Sequence, residues 1–175
     1  TRRLLSRLSG DDDLGIPDLA SARDLAIVKK LAATIPWLAS PDGWGAQFGR
    51  ELNATDDRGA FMPFTGRSSC RPVLEGKHIE PCRVATDRSR FELPSTSHDS
   101  ARVPRRARLA YRDVASATNR LTLIAAIVPA TCVTTHTLFC LKARLELDAQ
   151  RVLCALLNSF VANYLIRLRV GTHVT

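Results

Sequence analysis

Residues 121–141 form the longest stretch without a charged side chain, and this stretch limits what the rest of the chain can build. Its length suits a membrane-spanning helix of about 20 residues. However, it contains Pro129, five threonines and His136. A proline in a helix interior removes a hydrogen-bond donor and clashes with the preceding turn, and β-branched threonines favour a pleated strand. The stretch therefore reads as two strands, 122–128 and 132–141, with Pro129-Ala130-Thr131 between them. So short a connection favours an antiparallel pair, and no membrane span is expected.

The strand reading extends upstream. Leu109 and Tyr111 fall on one face of an alternating segment over 107–114, and Arg108, Ala110 and Arg112 on the other. RPVLEGKHIEPCRV (71–84) reads as strands on both sides of Gly76. Asn53-Ala54-Thr55-Asp56-Asp57 reads as a polar loop, and 85–106 as a long basic surface loop interrupted by Pro94 and Pro104.

Leu25, Val28, Leu31, Ile35 and Leu38 recur at helical spacing with Lys29 and Lys30 outward, Asp18 as N-cap and Pro36 as the end. A last helix starts at Asp148 and carries the stripe Leu153, Leu157, Phe160, Tyr164 and Leu168. Arg167 and Arg169 lie in its final turn, and Gly171 ends it. The fold class expected is α+β: a mixed, largely antiparallel sheet flanked by an N-terminal helix and a long C-terminal helix. Residues 1–43 read as a helical segment or linker and 44–175 as the main domain, the whole as part of a longer protein.

The formal net charge is +8, from 25 basic and 17 acidic side chains, and only four of the basic residues are lysines. Codon usage in a GC-rich genome accounts for that ratio as well as function does, so position is the better guide. Between Arg67 and Arg120, 12 basic residues face six acidic ones, which points to a polyanionic partner. Cysteines 70, 82, 132, 140 and 154 contain no C-x-x-C pair, and their odd number argues against a disulfide framework. Reduced thiols in a cytoplasmic protein, with no bound metal, are expected.

Three constellations could carry chemistry. Pro41-Asp42 followed by Glu75-Gly76-Lys77 formally matches the PD…(D/E)-x-K arrangement of metal-dependent nucleases, in which carboxylates hold Mg²⁺. The glycine between Glu75 and Lys77 fits poorly in a strand that must aim both neighbours at a metal. The four histidines are scattered, and His136 reads as a core residue rather than a base. The third is a polar corner, Thr118-Asn119, flanked by Arg108, Arg112 and Arg120. Asparagine can pair bidentately with adenine and arginine with guanine. Equally, Asn119 could supply turn chemistry while the arginines solvate a face.

GRELNATDDRGAF, RPVLEGKHIEPCRV, RLAYRDVASATNRLTLIAAIVP and ALLNSFVANYLIRLRVGTHV together resemble the target-recognition (TaqI-like specificity) region of adenine-specific DNA methyltransferases. They are most similar to the large type II restriction-modification enzymes that join methylase and specificity parts in one chain. The four blocks span about 44–174 in the expected order.

The resemblance implies a domain that reads duplex DNA opposite a methylase catalytic domain of the same polypeptide, where the target adenine is rotated out of the stack. It implies that Lys77 of the E-G-K block contacts a phosphate and that Gly76 permits close backbone approach. Arg112, Asn119 and Arg120 of the R-D-x-A-x-x-T-N-R block, with Arg108, would make backbone or base contacts. Asn158 and Ser159 would cap or brace the sheet. The segment 87–106, with Arg102, Arg105 and Arg106, would read target sequence.

The family's Asn-Pro-Pro-aromatic tetrapeptide is missing, since no two prolines are adjacent, and so is its Gly-rich cofactor loop. S-adenosylmethionine is thus expected for the parent enzyme and no cofactor for this part. The rival class is a protein-interaction module that docks through its apolar helix stripes.

Overall fold

The computed structural model describes residues 16–116, 118–169 and 174. The expectations for residues 1–15 and for Gly171 lie outside these. The chain is an α+β protein. In order it forms α1 (Ala22–Thr34), β1 (Phe48–Gly49), β2 (Met62–Pro63), β3 (Cys70–Leu74), β4 (Ile79–Glu80), β5 (Arg83–Val84) and β6 (Phe91–Pro94). There follow α2 (His98–Arg102), β7 (Arg108–Arg112), β8 (Ala125–Val128), β9 (Val133–Thr134), β10 (Leu138–Leu141), α3 (Leu147–Leu157) and α4 (Phe160–Arg167).

Strand β7 is the spine of the first sheet, whose order is β1-β10-β7-β8, antiparallel throughout. Its alternation works as the residues imply. Leu109 and Tyr111 join the cluster with Leu141, Leu153 and Phe48, and Ala110 joins the opposite cluster with Leu74, Ile79, Val128 and Leu138. Both faces are covered, so the Arg108–Ala110–Arg112 face is not a solvent face.

The second sheet has the order β2-β6-β3-β9. Two expectations fail in it. The run after Pro129 does not fold back on β8; β9 pairs in parallel with β3, Val73 opposite Val133 and Leu74 opposite Thr134. The reason lies in the connection, whose carbonyls are held by two guanidinium groups: Arg108 takes Pro129 and Cys132, and Arg71 takes Ala130 and Cys132. The chain is drawn across to the neighbouring sheet instead of turning. Nor is 85–106 one long surface loop. Phe91 and Leu93 are two apart, and Leu93 packs with Val73, Phe61 and Val103 as β6 inserts between β2 and β3. Glu92, on the other face, accepts from the Thr65 hydroxyl and from the backbone N–H of Thr65 and Gly66, which holds its carboxyl down at about 2.

The C-terminal helix is two helices, bent by 60° at a break. Asn158 leaves the helix to bracket Ala125 of β8, accepting from its N–H at 3.1 Å and donating to its carbonyl at 2.8 Å. Ser159 then caps α4 by accepting from the Ala162 N–H. Two further amides do similar work: Gln150 accepts from the Leu109 N–H, and Asn163 accepts from the N–H of Thr122 and Leu123. The break moves Phe160 off the apolar stripe and leaves it 87% exposed. The α3 N-cap position is Glu146, not Asp148.

Residues 16–43 pack on the domain. Ser21, not Asp18, caps α1. The Asp18 N–H donates to Leu168, and Tyr164 of α4 donates to the Asp24 carboxylate at 2.5 Å. No single helix among the described residues is long and apolar enough to cross a membrane.

Candidate nucleic-acid interface

The arginines of the sequence-predicted site divide between the two ends of β7, which at about 3.3 Å per residue lie some 13 Å apart along the strand. At the first end, Arg108 is buried. Its guanidinium meets both Glu51 carboxylate oxygens at 2.5 Å, and both side chains are 1% exposed. Glu51 also accepts from the Thr134 hydroxyl and N–H. A buried charge must be paired and fully bonded to persist, and this one is. Arg108 is therefore part of the core and not a DNA contact. Arg71 lies beside it, enclosed by the carbonyls of Ser100, Val103, Pro104, Ala130 and Cys132 and by the Ser100 hydroxyl. Arg106 is likewise engaged, donating to the carbonyls of Leu141, Lys142 and Ala143.

Arg102 and Arg105 are exposed. Arg102 bridges Asp57 and Asp99 at 3.2 and 3.1 Å, and those two carboxylates hold its proton more firmly than usual. Arg105 donates to the Ser95 carbonyl.

At the opposite end the fold brings Glu75, Gly76, Lys77, Arg112, Val114 and Thr137 together around an open cleft of about 290 Å³. A short 3₁₀ turn, Gly76–His78, separates β3 from β4 and aims Lys77 outward. It is pinned reciprocally: the Glu75 N–H donates to His78 Nδ1 and the His78 N–H donates to the Glu75 carbonyl. Burial pushes the His78 pKa down, so its imidazole stays neutral. Lys77 pairs with Glu75 while remaining 51% exposed, and Arg112 hooks its guanidinium onto the Ile79 carbonyl. Gly76 donates to the Thr137 hydroxyl, and a Cβ there would stand 3.3 Å from the Thr137 carbonyl. The close approach at Gly76 is thus to its own fold, on the cleft wall.

The corner at Thr118, Asn119 and Arg120 lies beyond the same end of β7 and is exposed. Its backbone is fixed by Arg167 of α4, which donates to the carbonyls of Asn119 and Arg120 and to the Thr122 hydroxyl. This leaves the Asn119 and Arg120 side chains on the surface with an anchored base. Of the residues predicted for binding, Gly76, Lys77 and Arg112 share one cleft, with Asn119 and Arg120 beyond the same strand end. Arg102 and Arg105 are exposed outside this cleft, and Arg106 and Arg108 are taken up by carbonyls and by Glu51.

A second groove of about 350 Å³ was not anticipated; it is lined by Arg50, Glu51, Asn53, Asp56, Arg102 and His136, among others. His136 belongs to the turn between β9 and β10, not to an apolar strand, and its Nδ1 accepts from the Ala54 N–H. Arg50 on its rim pairs with buried Asp113 and lies over the Phe139 ring, which stacks on Tyr111. For the nuclease-like motif, Glu75 faces Lys77 and His78, while Asp42 sits in an exposed turn of residues 41–44. Among the described residues no three His, Cys, Asp or Glu side chains are grouped to hold a metal ion.

No protein-family model matches the chain, and no curated protein is significantly similar to it.

Proposed function

We propose that this chain is a duplex-DNA reading module whose contact surface runs from the Lys77–Arg112 cleft to the Thr118–Asn119–Arg120 corner. The observation that carries this reading is convergence. The E-G-K block and the block containing Arg112, distant in sequence, form one open cleft, with the polar corner in the connection that follows the same end of β7. In this reading Lys77 turns from Glu75 to a phosphate, and the anchored Asn119 and Arg120 address base edges or backbone. Arg102 and Arg105 add positive potential outside the cleft. The parent polypeptide would carry the methylase domain and hold S-adenosylmethionine there, with adenine as the target.

Titration of labelled duplex at low and moderate salt tests the reading. Affinity should fall as salt rises, because each phosphate contact releases counterions. Arg120→Ala and Arg112→Ala should weaken binding more than Arg23→Ala on the surface of α1. No binding at low salt, or equal losses in all three variants, overturns it.

One observation favours a second reading. Val152, Leu156, Phe160 and Val161 on α3 and α4 are between 48% and 87% exposed, an apolar face suited to a protein neighbour. Such a neighbour could be the methylase domain of the same polypeptide. A salt-independent oligomer without DNA affinity would favour interaction as the main role.

A further inference from the structure

Cys82 and Cys154 come from distant parts of the chain and meet with their sulfurs 3.9 Å apart. Cys82 occupies the turn between β4 and β5, is exposed, and has a left-handed φ of 61°, uncommon for a residue with a Cβ. Its N–H donates to the Ala125 carbonyl at 2.9 Å, which fixes the turn against β8. Cys154 lies on the inner face of α3 and is 3% exposed. Asn158 Nδ2 lies 3.4 Å from the first sulfur and 3.6 Å from the second. Both thiols line an open groove of about 370 Å³ shared with Ala107, Ile127, Leu147 and Arg151. A small molecule can therefore reach Cys82 from solvent, with Cys154 directly behind it.

We propose that Cys82 and Cys154 form a reactive dithiol that exchanges with low-molecular-weight disulfides, closing a reversible bond between the β4–β5 turn and α3. The oxidant is a small disulfide of the oxidised glutathione type, which enters past Arg151 on the groove rim, an exposed guanidinium paired at 2.7 Å with the exposed Asp148 carboxylate. In the first step the Cys82 thiolate attacks one sulfur of that disulfide. A mixed disulfide forms, one small thiolate leaves, and the proton given up by Cys82 goes to it. In the second step Cys154 sulfur attacks Cys82 Sγ, the second small thiolate leaves, and the Cys154 proton goes with it. Two protein thiols are oxidised and one small disulfide is reduced to two thiols.

Closing to the bonded distance of about 2.05 Å needs an approach of about 2 Å, within reach of thiol rotation and a shift of the exposed turn. Burial and the neighbouring Cys82 sulfur push the Cys154 thiol up to about 12. The order of attack follows from access: Cys82 is exposed at the groove and meets the small disulfide first, and Cys154, buried behind it, meets only the capped Cys82 sulfur. The bond would clamp a hairpin whose Ile79 carbonyl holds Arg112, so its formation stiffens one wall of the Lys77 cleft.

The full chain incubated in a buffer of oxidised and reduced glutathione tests this by intact mass and peptide mapping. The expected product is a monomer lighter by two hydrogens, with a Cys82–Cys154 crosslink, reversed by excess reductant, while Cys70, Cys132 and Cys140 are still alkylated as free thiols once the protein is denatured for mapping. Cys154→Ala should accumulate one glutathione adduct on Cys82, and Cys82→Ser should show neither adduct nor crosslink. If Cys154→Ala does not fold, the wild-type map together with Cys82→Ser still decides. A lasting adduct on wild-type Cys82, a crosslink between two copies, a bond through another cysteine, or no reaction overturns the proposal.

Discussion

The two ends of β7 use the same side chain in opposite ways. Arg108 lies under the β9 connection with Glu51 and a set of carbonyls around it, and Arg71 beside it has only carbonyls and a hydroxyl. Arg112, four residues on, lines an open cleft, and Arg120 stands on the surface beyond it. Where water is excluded, the terminal guanidinium nitrogens take backbone carbonyls and a carboxylate as acceptors, and the arginine becomes a cross-brace that fixes where loops run. At the open end Arg112 gives one donor to the Ile79 carbonyl while lining the cleft, and Arg120 is exposed to water. The basic excess between Arg67 and Arg120 is thus partly internal, and surface charge is smaller than the count implies.

The buried Arg108–Glu51 pair should show the largest effect. Glu51→Ala should lower unfolding free energy in urea by about 3–5 kcal/mol, because it strands the Arg108 charge in the core. Replacing both partners, Glu51→Leu with Arg108→Met, should recover most of that loss. Arg112→Ala should cost about 1–2 kcal/mol, since only the hook on Ile79 is lost, and should weaken DNA binding as well. An Arg112→Ala loss as large as that of Glu51→Ala would erase the distinction between the ends.

Acidification is a third probe, through His78 behind the cleft. Its folded pKa lies below the unfolded value of about 6.5, so the unfolded chain binds the proton more readily and stability falls as pH drops through 6.5. The slope should reach at most about 1.4 kcal/mol per pH unit. A His78 variant that still folds should be flat in that window, and a wild-type protein equally stable at pH 7 and 5.5 would contradict the buried neutral imidazole. Glu92 acts in a separate window, where stability is lost as pH falls below 4.5 toward about 2. The smallest stability effects belong to Lys77→Ala and Arg120→Ala, within about 0.5 kcal/mol. For Lys77→Ala the change should appear as a salt slope reduced by about 1 in the DNA titration.

What could be read from the sequence was local. The alternation of Leu109 and Tyr111 against Ala110 located β7 and its two faces, and Ser159 caps within its own helix, whereas the strand that Asn158 braces lies 33 residues away. Alternation cannot tell whether a face has a neighbour. The group that buries Arg108 is Glu51, 57 residues away, and no short-range pattern links them. The helix break shows a conflict of local signals. Leu157 and Phe160 keep helical spacing, but Ser159 offers capping chemistry and Asn158 an amide for β8, and these prevailed. The pairing of β9 with β3 and the meeting of Cys82 with Cys154 depend on the assembled tertiary structure, so spacing along the chain held no trace of them.

The path from β8 through β9 to β10 has a mechanical consequence. The chain leaves the first sheet, lays two residues beside β3 in the second, and returns, while the Leu52 N–H donates to the Thr134 carbonyl close by. That excursion is a stitch: neither sheet can swing away from the other without first tearing Val133 and Thr134 from β3. The two sheets behind the cleft are therefore tied to each other by the chain itself, and what a partner's contour meets first is the set of turns at their margin, Gly76–His78, the Cys82 turn and the Asn119 corner.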